Sequence, residues 1–213
     1  MNAGKLSDPL VKSISMSTGL WTFAVLYRGT TAMQIFAAVV LLATAMLIVI
    51  VLLSHIAVLL HKNTWRWPSE SRKVLMLSIL LSFALAAWYR ISEQMTLFPF
   101  SIRWFAFLSV LVGATEELIF RGVLQGEAGR WHATGAVYLS ALAFGGYKAL
   151  LFILPAPENE TNVFNLFIIT FFAGILLGYA RKNTGSIWPC LVAHGIFDLL
   201  VYMETAKPPW WVW

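Results

Sequence analysis

Glu116-Glu117-Leu118-Ile119-Phe120-Arg121 sets two carboxylates and a guanidinium inside an apolar run that extends from Ile102 to Leu124. Ionised groups in a segment of bilayer length are costly, so they face a protein interior or a wet cavity and mark function. On a helix Glu117 and Arg121 are four apart, share a face and can pair. Glu116 points about 100° away, has no evident local partner and keeps its carboxylate for other work. The stretch therefore predicts a membrane-spanning helix built around a polar site.

The rest of the chain fits that setting. It has 213 residues, of which 59% are hydrophobic and 12% charged, with mean hydropathy +0.75. A soluble domain carries about a quarter charged residues. The length and the apolar runs predict an all-α, polytopic integral membrane bundle of about six transmembrane helices. The net charge of +5 fits a cytoplasmic loop bias better than nucleic-acid binding. The basic residues are scattered over loops and not interleaved with aromatics, which excludes a nucleic-acid partner. The one cysteine, Cys190, rules out an intrachain disulfide framework. The polar start, Met1 to Ser17, lacks the pattern of a cleavable signal peptide.

Six spans are expected: Ala32–Leu60, Val74–Tyr89, Ile102–Leu124, Gly135–Leu154, Val163–Ala180 and Ile187–Met203. Gly19 to Tyr27 is short and aromatic and reads as an interfacial segment. Three regions follow: residues 1–100 with two spans, 101–204 with four, and a Trp-rich tail over 205–213. Lys62, Arg66, Arg72, Lys73, Arg130, Arg181 and Lys182 lie on one side. The loop between spans four and five has Glu158 and Glu160 and no Lys or Arg. That asymmetry puts both termini outside.

Trp65, Trp67, Trp104, Trp131, Trp188 and the tail Trp210-Trp211-Val212-Trp213 fall near span ends and read as interfacial anchors. Gly174 and Gly178 form a GxxxG suited to close helix packing within the monomer. His55 and His61 read as interfacial, and His132 as a solvated loop residue. Asn159-Glu160-Thr161 is a sequon match of little weight.

Three late spans each bring ionisable groups: Glu116, Glu117 and Arg121; then Lys148; then His194 and Asp198, four apart on one face. If the faces converge, they form a buried polar site. A desolvated carboxylate there can act as general base on water. A neighbouring histidine can orient that water or stabilise the oxyanion formed at a carbonyl. The plainer alternative is that the Glu–Arg pair only locks helices together.

These residues also resemble a known family. Glu116-Glu117 with Arg121 resembles the EExxxR motif of the CPBP family, the CAAX-protease and bacteriocin-processing intramembrane proteases. Phe144 to Lys148 falls where that family has FxxxH, and His194 to Asp198 resembles its HxxxN motif. The stretch from Gly178-Tyr179 through Thr184 to Pro189 also looks typical of it, and the similarity covers about residues 100–204. The resemblance implies an intramembrane endopeptidase in a bacterial cytoplasmic membrane, acting on a membrane-associated protein or peptide. It implies Glu116 as the base, Glu117 and Arg121 as its support, and His194 and Asp198 completing the site.

Two positions depart from the pattern: Lys148 replaces the first histidine and Asp198 the final asparagine. With His194 as the remaining motif histidine, zinc would be poorly supplied with ligands, so no metal and no other cofactor is expected. Lys148 is expected to pair with Glu116 or Asp198, so that the two departures compensate. Either Lys148 donates to the oxyanion and the protein cleaves peptides, or it disables Glu116. In the second case the protein is a silent relative, a scaffold or subunit beside a membrane-protein partner. A transporter is disfavoured, because no paired broken-helix signature spans two halves.

Overall fold

The computed structural model describes residues 3–29, 65–67, 72–97, 101–152 and 162–205. Among them the regular structure is entirely helical: α1 (Ala3–Gly29), α2 (Arg72–Ser92), α3 (Trp104–Glu117), a π-helical segment (Leu118–Leu124), α4 (Gln125–Gly129), α5 (Ala133–Leu151), α6 (Val163–Thr184) and α7 (Trp188–Tyr202). The expected span Ala32–Leu60, with His55 and His61, lies outside the described residues. So do the sequon and the Trp-rich tail.

Five of the expected spans have a helical counterpart, and α2 and α6 are long and apolar enough to cross a membrane. Within their most apolar windows 22% and 17% of the residues are buried. Both helices therefore present apolar surface outward, as lipid-facing helices do and core helices of soluble domains do not.

Gly19 to Tyr27 is not a short interfacial piece. It is the end of the 27-residue helix α1, which packs along the bundle. Ser13, Met16, Ser17, Leu20 and Ala24 form its buried stripe at helical spacing. Three of those five residues are small or hydroxylated, so a hydropathy reading passes over the stripe. The hydroxyls are satisfied locally, Ser13 donating to the Pro9 carbonyl and Ser17 to that of Ser13. Met16 and Leu20 join Phe120, Val123, Leu124, Ala143 and Phe144 in one apolar cluster. Trp21 donates its indole N–H to the Ala143 carbonyl at 2.9 Å and lies against Gly146, where a Cβ would strike its ring.

The GxxxG pair packs α6 on α5, as expected. A Cβ on Gly174 would come within 3.0 Å of Ala141, and one on Gly178 within 2.8 Å of Val137. The close approach also lets Gln125 donate to the Gly178 carbonyl at 2.8 Å. Helix ends carry their own signals. His132, exposed as expected, caps α5 by accepting from the Gly135 N–H at 2.9 Å. Gly185, at φ 65°, ends α6 in the left-handed conformation that glycine adopts without strain.

At the end of the bundle formed by the C-termini of α2 and α7, Arg90 is 1% exposed. It donates to the carbonyls of Thr96 (2.6 Å) and Leu200 (2.7 Å) and pairs with Glu204 at 2.7 Å. This clamp was not legible in the sequence, where Arg90 is one more basic residue at a span end. At the opposite end Trp188 packs on Trp65 and Trp67, with ring centroids 6.1 and 5.6 Å away.

Candidate active site

The helix carrying the two glutamates changes pitch immediately after them. Residues Leu118–Leu124 form a π-helical turn between α3 and α4, so one run from Trp104 to Gly129 holds the whole motif. Such insertions are rare and gather at functional sites. The Phe120 carbonyl accepts both the Gln125 N–H and, at 2.7 Å, the Ser140 hydroxyl from α5. Nothing in the local sequence announces this turn, because its second donor comes from another helix.

Glu117 and Arg121 pair across this junction at 3.0 Å, both with fully buried side chains. The same Glu117 Oε1 lies 2.8 Å from His194 Nδ1. One carboxylate oxygen thus joins a guanidinium and an imidazole, which fixes the ring and turns Nε2 the other way. Nε2 lies 3.8 Å from Glu116 Oε2 and 3.7 Å from Asp198 Oδ1. The Arg121 guanidinium sits over the Phe144 ring, 4.4 Å from its centroid. This cation–π contact compensates for the Nε and Nη2 groups that have no hydrogen-bond acceptor among the described residues. Phe144 in turn meets His194 edge to face at 6.0 Å. In the sequence Phe144 is marked only by its place at the head of the Phe144–Lys148 stretch; its contacts with Arg121 and His194 come from the fold.

Of the two partners open to Lys148, the contact is with Glu116, at 2.5 Å between Nζ and Oε1. Glu116 therefore has a partner after all, 32 residues away on α5. Glu116 is 4% exposed, and apart from the Lys148 ammonium on Oε1 its carboxylate has no hydrogen-bond donor among the described residues. It lines a cavity together with Phe105, Ser109, Val112, Lys148, Asp198 and Tyr202. Where a water's centre fits, the cavity measures about 20 Å³, and one water needs roughly 10–15 Å³ by that measure. The six residues singled out in the sequence, Glu116, Glu117, Arg121, Lys148, His194 and Asp198, thus converge. Phe105, Phe144 and Tyr202 are added by the structure.

A divalent cation fits this donor set poorly. The Lys148 ammonium occupies the flank of Glu116 where a cation would sit, and Glu117 Oε1 and His194 Nδ1 are committed to each other. Among the described residues no three His, Cys, Asp or Glu side chains are grouped to hold a metal. A protonated lysine is not a zinc ligand.

Gly113 is what allows α7 to bring Asp198 in. A Cβ there would collide with the Asp198 carboxylate and come within 3.2 Å of His194 Cδ2. Gly113→Ala is expected to cost about 1–3 kcal/mol by overpacking and to push Asp198 and His194 off Glu116. Unfolding in detergent measures the first effect. Wild-type stability in that variant would mean that α3 and α7 separate without cost.

Described residues whose regular structure is entirely helical, with a largely buried Glu/Glu/Arg/Lys/His/Asp cluster, define the class: a helical protein with an internal polar site. Residues 98–200 match the family model described as type II CAAX prenyl endopeptidase Rce1-like, so a little under half of the chain is similar to that family. It is also 33% identical over 98 residues to an uncharacterized protein of Bacillus subtilis, YpbD. The matched segment is 46% of this chain and 43% of that protein, so the chain spans less than half the length of its relative. No solved structure matches.

Proposed function

We propose that this chain is a glutamate-dependent intramembrane endopeptidase of a bacterial cytoplasmic membrane, cleaving a membrane-associated protein or peptide without a metal. The observation that carries the reading is Glu116: a buried carboxylate that lines a water-sized cavity, with Lys148 on Oε1 and Oε2 free of any hydrogen-bond donor among the described residues. Glu116 Oε2 and His194 Nε2 lie 3.8 Å apart, near enough for one water beside them to hydrogen-bond to both. In this mechanism Glu116 takes a proton from that water and the hydroxide oxygen bonds to the substrate's carbonyl carbon. The C=O pair moves onto oxygen. The tetrahedral intermediate then collapses, the C–N bond breaks, and Glu116 returns the proton to the leaving amine. His194, held by Glu117, orients the water. Glu117 and Arg121 act as positioning residues.

The Lys148–Glu116 contact at 2.5 Å favours a second reading. A persistent pair would hold Glu116 ionised but turned from water, leaving a silent relative that serves as a scaffold or subunit for a membrane-protein partner. Comparing membrane-protein termini in cells carrying wild type, Glu116→Gln and Lys148→His separates the two. Under the protease reading, cleaved termini vanish in Glu116→Gln and persist in Lys148→His. Under the silent reading, wild type and Glu116→Gln show the same termini, and Lys148→His changes only stability or the proteins that copurify.

A further inference from the structure

The cavity beside Glu116 is built from two stripes. On α3, Phe105, Ser109, Val112 and Glu116 recur at helical spacing; on α7, Asp198 and Tyr202 lie one turn apart, with His194 a turn below. Lys148 closes it from α5. Hydrolysis needs more than a base here. When water adds to a peptide carbonyl, the oxygen gains a full negative charge, and hydrogen-bond donors aimed at that position are the largest single aid to the reaction.

Most donors around the cavity are already committed. The Ser109 hydroxyl donates to the Ala106 carbonyl at 2.8 Å. His194 Nδ1 is bound to Glu117, and the Lys148 ammonium lies on Glu116. The Tyr202 side chain is different: it lines the same cavity, and its hydroxyl takes part in none of the hydrogen bonds found among the described residues. Its ring is fixed by Phe105, edge to face with centroids 5.6 Å apart, and its backbone carbonyl accepts from Thr205 at 3.1 Å. A phenol held at the cavity wall, with its O–H uncommitted, is a pre-oriented donor.

We infer that Tyr202 is a substrate-contacting residue whose phenol O–H hydrogen-bonds the scissile carbonyl oxygen and the oxyanion that replaces it. This rests on the hydrolytic reading above. It assigns to Tyr202 part of the task left open by lysine at position 148. The phenol keeps its proton throughout. Water's proton goes to Glu116 and then to the leaving amine, so the balance of the step is unchanged.

The test uses the full-length protein in detergent and a synthetic peptide spanning the bond found cleaved in the cellular comparison. Wild type, Glu116→Gln, Tyr202→Phe and Phe105→Leu are assayed for kcat and KM, each beside its unfolding temperature. Tyr202→Phe removes only the hydroxyl and is expected to lower kcat by about 10²–10³-fold with KM unchanged, the signature of an interaction gained in the transition state. Phe105→Leu loosens the same ring without touching the hydroxyl and is expected to lose less. Wild-type kcat in Tyr202→Phe, with Glu116→Gln inactive, overturns the assignment and leaves the protease reading standing. So does an equal loss in Phe105→Leu, which would make ring packing the cause. Cleavage that persists in Glu116→Gln, or no cleavage by wild type, overturns the protease reading and Tyr202 with it.

Discussion

Glu116→Gln is expected to cut peptide cleavage by about 10²–10⁴-fold, the usual worth of a positioned general base. Glutamine keeps the size of the side chain and an acceptor oxygen toward Lys148, so the cavity wall stays in place. What it loses is the ability to take a proton from water. The protein should remain folded, because Lys148 is 19% exposed at its side chain and can reach water once its ion pair is gone. Activity is read from the disappearance of the cleaved terminus at equal expression. Retained cleavage in a folded Glu116→Gln protein would remove Glu116 from the mechanism and leave a structural ion pair in its place.

Arg121→Met is expected to have the largest effect on stability, a loss of about 3–5 kcal/mol. Arg121 and Glu117 are both fully buried, and Glu117 Oε2 already lacks a donor. Without the guanidinium, Glu117 would remain as a buried carboxylate held by His194 alone. Taking a charge out of water is repaid only by a well-placed partner, and half a pair is worse than none. The double variant Arg121→Met with Glu117→Gln should therefore recover most of the loss, since neither charge then remains. Chaotrope unfolding in detergent compares the two. A loss below about 1 kcal/mol in the single variant is the behaviour of an exposed pair and would contradict this burial. The double variant should stay poorly active even when folded, because His194 loses the carboxylate that fixes its Nδ1.

The two predictions touch different parts of one cluster. Glu116 lines the cavity and, in the proposed mechanism, acts on substrate; Glu117, its neighbour in sequence, is fully buried and holds Arg121 and His194. The 100° step of the helix separates the two roles. The cation set follows the same division, with Arg121 serving the interior carboxylate and Lys148 the cavity one. That division makes an activity variant with normal stability attainable at position 116 and not at position 121.

What the sequence determined by itself was local or additive. Long apolar runs placed the helices of the C-terminal half. The four-residue spacings of Glu117 with Arg121, and of His194 with Asp198, predicted shared faces that the structure contains at 3.0 and 3.7 Å. The GxxxG of α6 predicted a close helix contact because small residues on one face leave room for a neighbour whichever helix supplies it. The helix α1 escaped because three of the five residues in its buried stripe are serine or alanine. The π-helical turn escaped because the second donor to its Phe120 carbonyl, the Ser140 hydroxyl, comes from α5. Only the tertiary structure decided that Lys148 meets Glu116, that His194 reaches Glu117 across 77 residues, and that Phe144 and Tyr202 belong to the site. Those contacts depend on how far each helix is rotated and shifted against the next. Rotation is set by the sum of many packing contacts along a helix, and no short stretch of sequence contains it.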